Sequence, residues 1–254
     1  MGQKEMDINR AQNRITLTLE GPKIPGTQFV TGINALFKLI NAVSDEVMDT
    51  RKAVDWVVSV EPGSVVVHFD PEPETAHKDD VPKAIKCISD GLAHLEDGRE
   101  DRPSYFNDNA LKSAKSLANL VKVGHDEFNR VRVDFPERRQ TLSKRAVATV
   151  DAMFQVHRAT LGSVEGYLQA ITSRGKYKFR IYDRLTDHPV ICFFPNELKQ
   201  EVLKAFDKRV QAYGMVNYRK EGKPSSIHVE DFKVFASSDE LPSFSDIIGI
   251  YKNL

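Results

Sequence analysis

GKYKFRIYDRLTDHPVICFFP, residues 175–195, sets Lys176, Lys178, Arg180, Tyr182 and Arg184 on alternate positions and then turns almost wholly apolar. Successive side chains of a strand point to opposite faces, so this spacing predicts a strand with a basic face and with Phe179 and Ile181 turned to a core. The run PVICFFP predicts a second strand after the Thr186-Asp187-His188 turn. Before them, VEGYLQAI (164–171) reads as a strand with Gly166 inside it, joined by the turn Ser173-Arg174-Gly175. After them, Asn196 is placed to cap a short helix reaching Phe206, with Leu198, Val202 and Phe206 on one face. RVQAYGMVNYR and SSIHVEDFKVF then predict a hairpin about Gly222 and Pro224. The expected strands are 164–171, 177–185, 190–194, 209–218 and 227–235, with the helix over 196–206.

The first part of the chain carries both periodicities. Ile15, Leu17 and Leu19 alternate with threonines as in a half-buried strand, and Ile33, Leu36, Phe37, Ile40 and Val43 recur at helical spacing. VDWVVSVEPGSVVVHFDP gives two β-branched runs split by Glu61-Pro62-Gly63-Ser64, a hairpin with Trp56 in the core. Asp79 and Asp80 are candidate caps of a helix that has Pro82 in its first turn and buries Val81, Ile85, Ile88, Leu92 and Leu95 up to Gly98. A helix over 110–122, a strand holding Val131, Val133 and Phe135, and a helix over 142–154 complete this part. The class is α+β: a sandwich-like α+β domain over 1–160, a five-stranded barrel with one helix over 161–236, and an apolar tail over 237–254.

The order of three strands, one helix and two strands resembles the OB-fold, a five-stranded Greek-key barrel with a helix between its third and fourth strands. Gly166 and Gly214, each inside a strand, suit a small, tightly coiled barrel. The resemblance implies a binding surface on the outward face of strands two and three, flanked by the loops between strands one and two and between strands four and five. Carried onto this chain, that surface is Lys176, Lys178, Arg180, Tyr182 and Arg184, with Arg174 from the first loop and Arg219, Lys220 and Lys223 from the second. The expected ligand is single-stranded DNA or RNA, its phosphates on the cations and a base on Tyr182. The competing reading is a protein-interaction or regulatory module whose basic strand face is only solvated and keeps other strands away.

Lys and Arg total 36 and Asp and Glu total 36, so any nucleic-acid binding must be local rather than a matter of bulk charge. Cys87 and Cys192 read as buried free thiols of a reducing compartment. The polar N-terminus has no apolar leader core and no run approaches a membrane span, so the expected location is cytoplasmic, with no membrane partner. Catalytic patterns are lacking. GPKIPG lacks the glycine spacing and lysine of a phosphate loop, and His125-Asp126 has no companion ligand at useful spacing. Asp70, Glu72, Glu74, Asp79 and Asp80 lack the calcium-loop pattern, Asp151 and His157 are off a common helix face, and Ser64 and Ser163 sit in turn sequences. The expectation is a non-enzyme with no cofactor and no metal. Phe244, Ile247, Ile248, Ile250 and Tyr251 make the tail apolar for a terminus. It is expected to dock within the chain or across a homodimer, the N-terminal domain being a second surface for a protein partner or a second copy.

Overall fold

Ile15, Leu17 and Leu19 are each at most 3 % exposed, and they lie on β1 (Ile15–Glu20), the middle strand of an antiparallel sheet. The structure, a computed structural model, describes residues 13–21, 24–52, 54–60, 65–72, 78–121, 130–173, 175–182 and 189–235. It divides into two compact units, Met1–Met153 and Phe154–Leu254. In the first, β2 (Trp56–Val60), β3 (Val66–Pro71), β4 (Arg130–Asp134) and β5 (Arg139–Leu142) join β1 in the order β2-β3-β1-β4-β5. β1 pairs with β3 through Leu17 opposite Val67 and with β4 through Leu17 opposite Val133, so one face of the sheet carries a row of buried aliphatic side chains. Trp56 is buried at its edge, as the sequence implies.

Helices supply the other half of this core: α1 (Gly26–Met48), α2 (Val81–Glu96), α3 (Asp108–Ala118) and α4 (Lys144–Phe154). Leu36, Ile40 and Val43 of α1 and Val81, Ile85, Ile88, Leu92 and Leu95 of α2 are buried at the spacing read from the sequence. Asp80 precedes α2 at its cap position, but its side chain makes no capping bond, because Lys78–Asp80 already forms a turn of 3-10 helix. Asn107 caps α3 instead, its Oδ1 accepting from the amides of Asn109 and Ala110 at 3.0 Å each. β5 was not visible in the sequence: Arg139, Gln140 and Thr141 carry no apolar alternation, and the strand exists through its pairing with β4. The opposite face of the sheet is polar. Arg14 grips Asp70 with two bonds of 2.8 and 2.9 Å, Thr16 Oγ1 lies 3.0 Å from His68 Nδ1, and Arg132 bonds Glu20 at 2.7 Å and Asp134 at 3.1 Å.

The second unit contains β6 (Arg158–Thr172), β7 (Lys178–Tyr182), β8 (Pro189–Phe193), β9 (Arg209–Tyr218) and β10 (Pro224–Val234). They form a mixed sheet closed by a ring of hydrogen bonds in the order β6-β7-β8-β10-β9, with β9 returning to β6. Every neighbouring pair is antiparallel except β8 and β10, which run parallel. Val164, Leu168, Phe179, Ile181, Val190, Cys192, Val210, Ala212, Val216, Ile227, Val229 and Phe232 fill the interior.

Two boundaries differ most from the sequence reading. β6 begins at Arg158, because the exposed residues 158–163 pair with β9 from Tyr218 to Tyr213 without any buried alternation to announce them. Between β8 and β9, Asn196–Leu198 is a 3-10 turn followed by α5 (Lys199–Lys204). Asn196 therefore lies within the first turn and does not cap it. Val202 and Ala205 are buried there, whereas Phe206, beyond the end of α5, is 55 % exposed. The hairpin turn expected at 61–64, His125-Asp126, Glu74, Arg174, Arg184 and the tail 237–254 lie outside the described residues.

Candidate functional site

β7 alternates as the residues require: Phe179 and Ile181 are at most 1 % exposed, while Lys178, Arg180 and Tyr182 face outward. Phe179 lies between the rings of Phe194 and Phe232, with both centroids 5.4 Å away. That packing fixes the strand's rotation and so holds the two cations on the outer surface. The neighbours in register extend this surface. Lys178 lies opposite Thr172 on β6 and Phe193 on β8, Arg180 opposite Ala170 and Ile191, and Tyr182 opposite Tyr167 and Pro189. The parallel strand β10 then sets His228 beside Phe193, and the two rings stack at 5.3 Å with 21° between their planes. The basic strand therefore has an aromatic pair at each end, Tyr167 with Tyr182 and Phe193 with His228.

Lys176 is exposed in the turn that leads into β7. At the other end of the surface, the β9–β10 turn is closed by Arg219 N donating to the Lys223 carbonyl at 3.0 Å and Gly222 N to the Arg219 carbonyl at 2.9 Å. Ser226, two residues after Pro224 at the end of this turn, pairs with Ile191, which lies opposite Arg180. Lys220 and Lys223 are exposed there. Arg219 departs from the expectation: it is 8 % exposed, with its guanidinium 4.7 Å above the Phe154 ring. A cation buried against an aromatic face is not offered to a phosphate.

Several arginines elsewhere have carboxylate partners. Arg14 holds Asp70, Arg132 holds Glu20 and Asp134, Arg138 holds Asp90, Arg139 holds Asp134, and between β9 and β6 Arg209 holds Glu165. Among the described residues Lys178 and Arg180 have none. No family model and no curated protein matches the chain. Cations without carboxylate partners on a strand flanked by aromatic rings have the chemistry to attract an extended anion that also carries flat apolar groups.

Other candidate chemistry has a local explanation. A cleft of about 550 Å³ in the first unit is lined by Cys87, Asp90, His94, Asp97, Arg99 and Arg138, among others. Its basic side chains are engaged: Arg138 with Asp90 at 3.1 Å, Arg99 with Asp97 at 3.0 Å, and His94 Nε2 lies 2.7 Å from the Asp101 carbonyl oxygen. Asp151 pairs with Lys115, and Ser163 lies in β6 rather than in a turn, its Oγ accepting from Gln211 Nε2 at 3.2 Å. Among the described residues no group of three or more His, Cys, Asp or Glu is arranged to hold a metal ion, and no helix is long and apolar enough to cross a membrane.

Both cysteines are free, but only Cys192 is fully buried; Cys87 is half-buried on α2. Burial pushes the thiol of Cys192 far above its ordinary range, and the milder rise at Cys87 is also due mainly to desolvation. A thiol-specific alkylating reagent should therefore modify Cys87 slowly in the native protein and Cys192 only once denaturant is added. Mass spectrometry of the fragments reads this directly; rapid native labelling of Cys192 would contradict a closed barrel.

Proposed function

We propose that the second unit is an OB-fold barrel and that this chain is a non-catalytic protein binding single-stranded nucleic acid, DNA or RNA, on the outer face of β7 and β8. The carrying observation is that Lys178 and Arg180 project from that face without a carboxylate partner among the described residues, beside Tyr182 and the stacked Phe193 and His228. The ring order and the parallel pairing of the third and fifth barrel strands support the fold assignment, as does the helix between the third and fourth. Lys176, Lys220 and Lys223 add charge at the two ends of the surface, and free thiols suit a reducing, cytoplasmic setting. The N-terminal unit serves as the assembly or partner module.

Fluorescence anisotropy of labelled single strands over a range of salt tests this reading. Bound phosphates release counterions, so affinity should fall steeply as salt rises, and Lys178→Ala with Arg180→Ala should flatten the log–log slope by about 0.7 for each phosphate no longer neutralised. Tyr182→Ala or Phe193→Ala should instead cost about 1 to 3 kcal/mol of binding with the slope unchanged, because stacking releases no ions. A double variant that binds as well as the parent overturns the proposal. A second reading has its own observation: Leu161 on β6 and its register partner Met215 on β9 are 54 and 37 % exposed, with Tyr213 at 43 % two residues along β9, an apolar patch suited to a protein partner.

A further inference from the structure

Among the described residues β2 is an edge of the first sheet, and its sequence WVVSV contains no charge, proline or glycine to blunt it. Natural edge strands are normally guarded by such residues, since their unpaired amides and carbonyls are a template for another strand. The other edge of the same sheet, β5, is guarded by the exposed Arg139 and by Gln140 and Thr141. On β2, Val57, Val58 and Val60 are 38, 40 and 49 % exposed, so β-branched side chains emerge on both faces of the strand.

The backbone says which groups are on offer. Glu72 N donates to the Asp55 carbonyl at 2.7 Å, and in the same register Val57 faces Asp70 and Ser59 faces His68. Hydrogen-bonded pairs alternate along an antiparallel ladder, so Asp55, Val57 and Ser59 turn their N–H and C=O toward β3. Pro71, opposite Trp56, has no N–H to give, in keeping with that alternation. Trp56, Val58 and Val60 consequently point their N–H and C=O outward.

We infer that β2 is a self-pairing edge, and that two copies of this chain join through antiparallel β2 strands into one continuous sheet. Only registers that match the outward residues with one another satisfy the backbone. One sets Val58 against Val58 and Trp56 against Val60; the next sets Trp56 against Val58 and Val57 against Val57. Either way, every cross-strand pair within the strand is apolar or involves Ser59, with no like charges opposed. The two copies are neutral, with 36 basic and 36 acidic residues each, so no net charge holds them apart. A single strand pair buries less than the roughly 1,200 Å² at which stable specific interfaces begin, so the dimer is concentration-dependent rather than permanent.

Sedimentation of the full chain over a wide concentration range is the test. A monomer–dimer equilibrium is expected, and both Val58→Lys and Val58→Pro should leave only monomer. Val58→Pro should retain the parent's circular dichroism, because the amide it removes points away from β3. Val57→Pro should disrupt the sheet, because its amide bonds β3. In the unmodified protein, hydrogen exchange at the amides of Val58 and Val60 should slow as concentration rises, which keeps the inference testable if the variants fold poorly. A monomer at every concentration overturns it, whether the edge then serves another protein's strand or is covered by this chain. A dimer unchanged in both well-folded Val58 variants overturns it equally.

Discussion

Phe179→Ala should lower the stability of the barrel by about 3 to 5 kcal/mol, the range for emptying a large aromatic site that cannot collapse. Phe179 is 1 % exposed and meets Phe194 and Phe232 at ring-centroid distances of 5.4 Å, the latter edge-on, so truncation removes two ring pairs as well as buried area. Each such pair contributes about 0.5 to 1.5 kcal/mol beyond area alone. The next residue supplies the control. Arg180 is exposed on the opposite face, and Arg180→Ala should stay within about 0.5 kcal/mol of the parent. Trp56, the one tryptophan of the chain, lies in the first unit, so hydrogen exchange of barrel amides is the appropriate readout rather than tryptophan fluorescence. A small loss for Phe179→Ala would mean that the interior face of β7 had been assigned to the wrong residues.

The contrast between those neighbours explains how much of the molecule could be read from sequence. Lys178, Phe179, Arg180 and Ile181 declare their faces because strand period and residue type agree within a few positions. The same agreement marks Ile15, Leu17 and Leu19, and the helical spacing of Val81, Ile85, Ile88, Leu92 and Leu95. Where order comes from distant pairing, the local pattern is silent. β5 and residues 158–163 of β6 expose most of their side chains and become strands because β4 and β9 present hydrogen-bonding edges to them.

The candidate site divides along the same line. Lys178, Arg180 and Tyr182 were legible because they share one strand face. Phe193 and His228 were not, since they meet only when β10 inserts beside β8 in parallel, a neighbourhood that no local period encodes. The nearest signal was the outward phase of PVICFFP, which places Phe193 on the same side as Ile191. Arg219 looked like loop charge in the sequence, and its burial against Phe154 depends on a helix end far away along the chain. The edge of β2 belongs to a third kind: its valines mark a strand, and only the strand order leaves them at a boundary.

Gly214→Ala should be the other large loss, because the barrel closes where β9 and β10 have no room between them. Gly214 has φ +153°, a conformation nearly confined to glycine, and a Cβ built there would lie 2.0 Å from the His228 carbonyl oxygen and 3.0 Å from Glu230 N. The pairing steps from Val229 opposite Gly214 to Asp231 opposite Tyr213, so an extra residue on β10 bulges against the glycine. Strain at such a position and forced overpacking each cost about 1 to 3 kcal/mol, and together they should remove about 3 kcal/mol or more. Gly162, which pairs with Gly214 across β6, is the matched control. A Cβ there meets nothing nearer than Val216 Cγ2 at 3.6 Å, so Gly162→Ala should change stability by no more than about 1 kcal/mol. Denaturation of the two variants separates steric closure from a general preference for glycine. The same clash has a functional consequence, because His228 holds both the carbonyl that meets the new methyl group and the ring stacked on Phe193. Gly214→Ala should therefore weaken single-strand binding even under conditions where the protein remains folded, and Gly162→Ala should not.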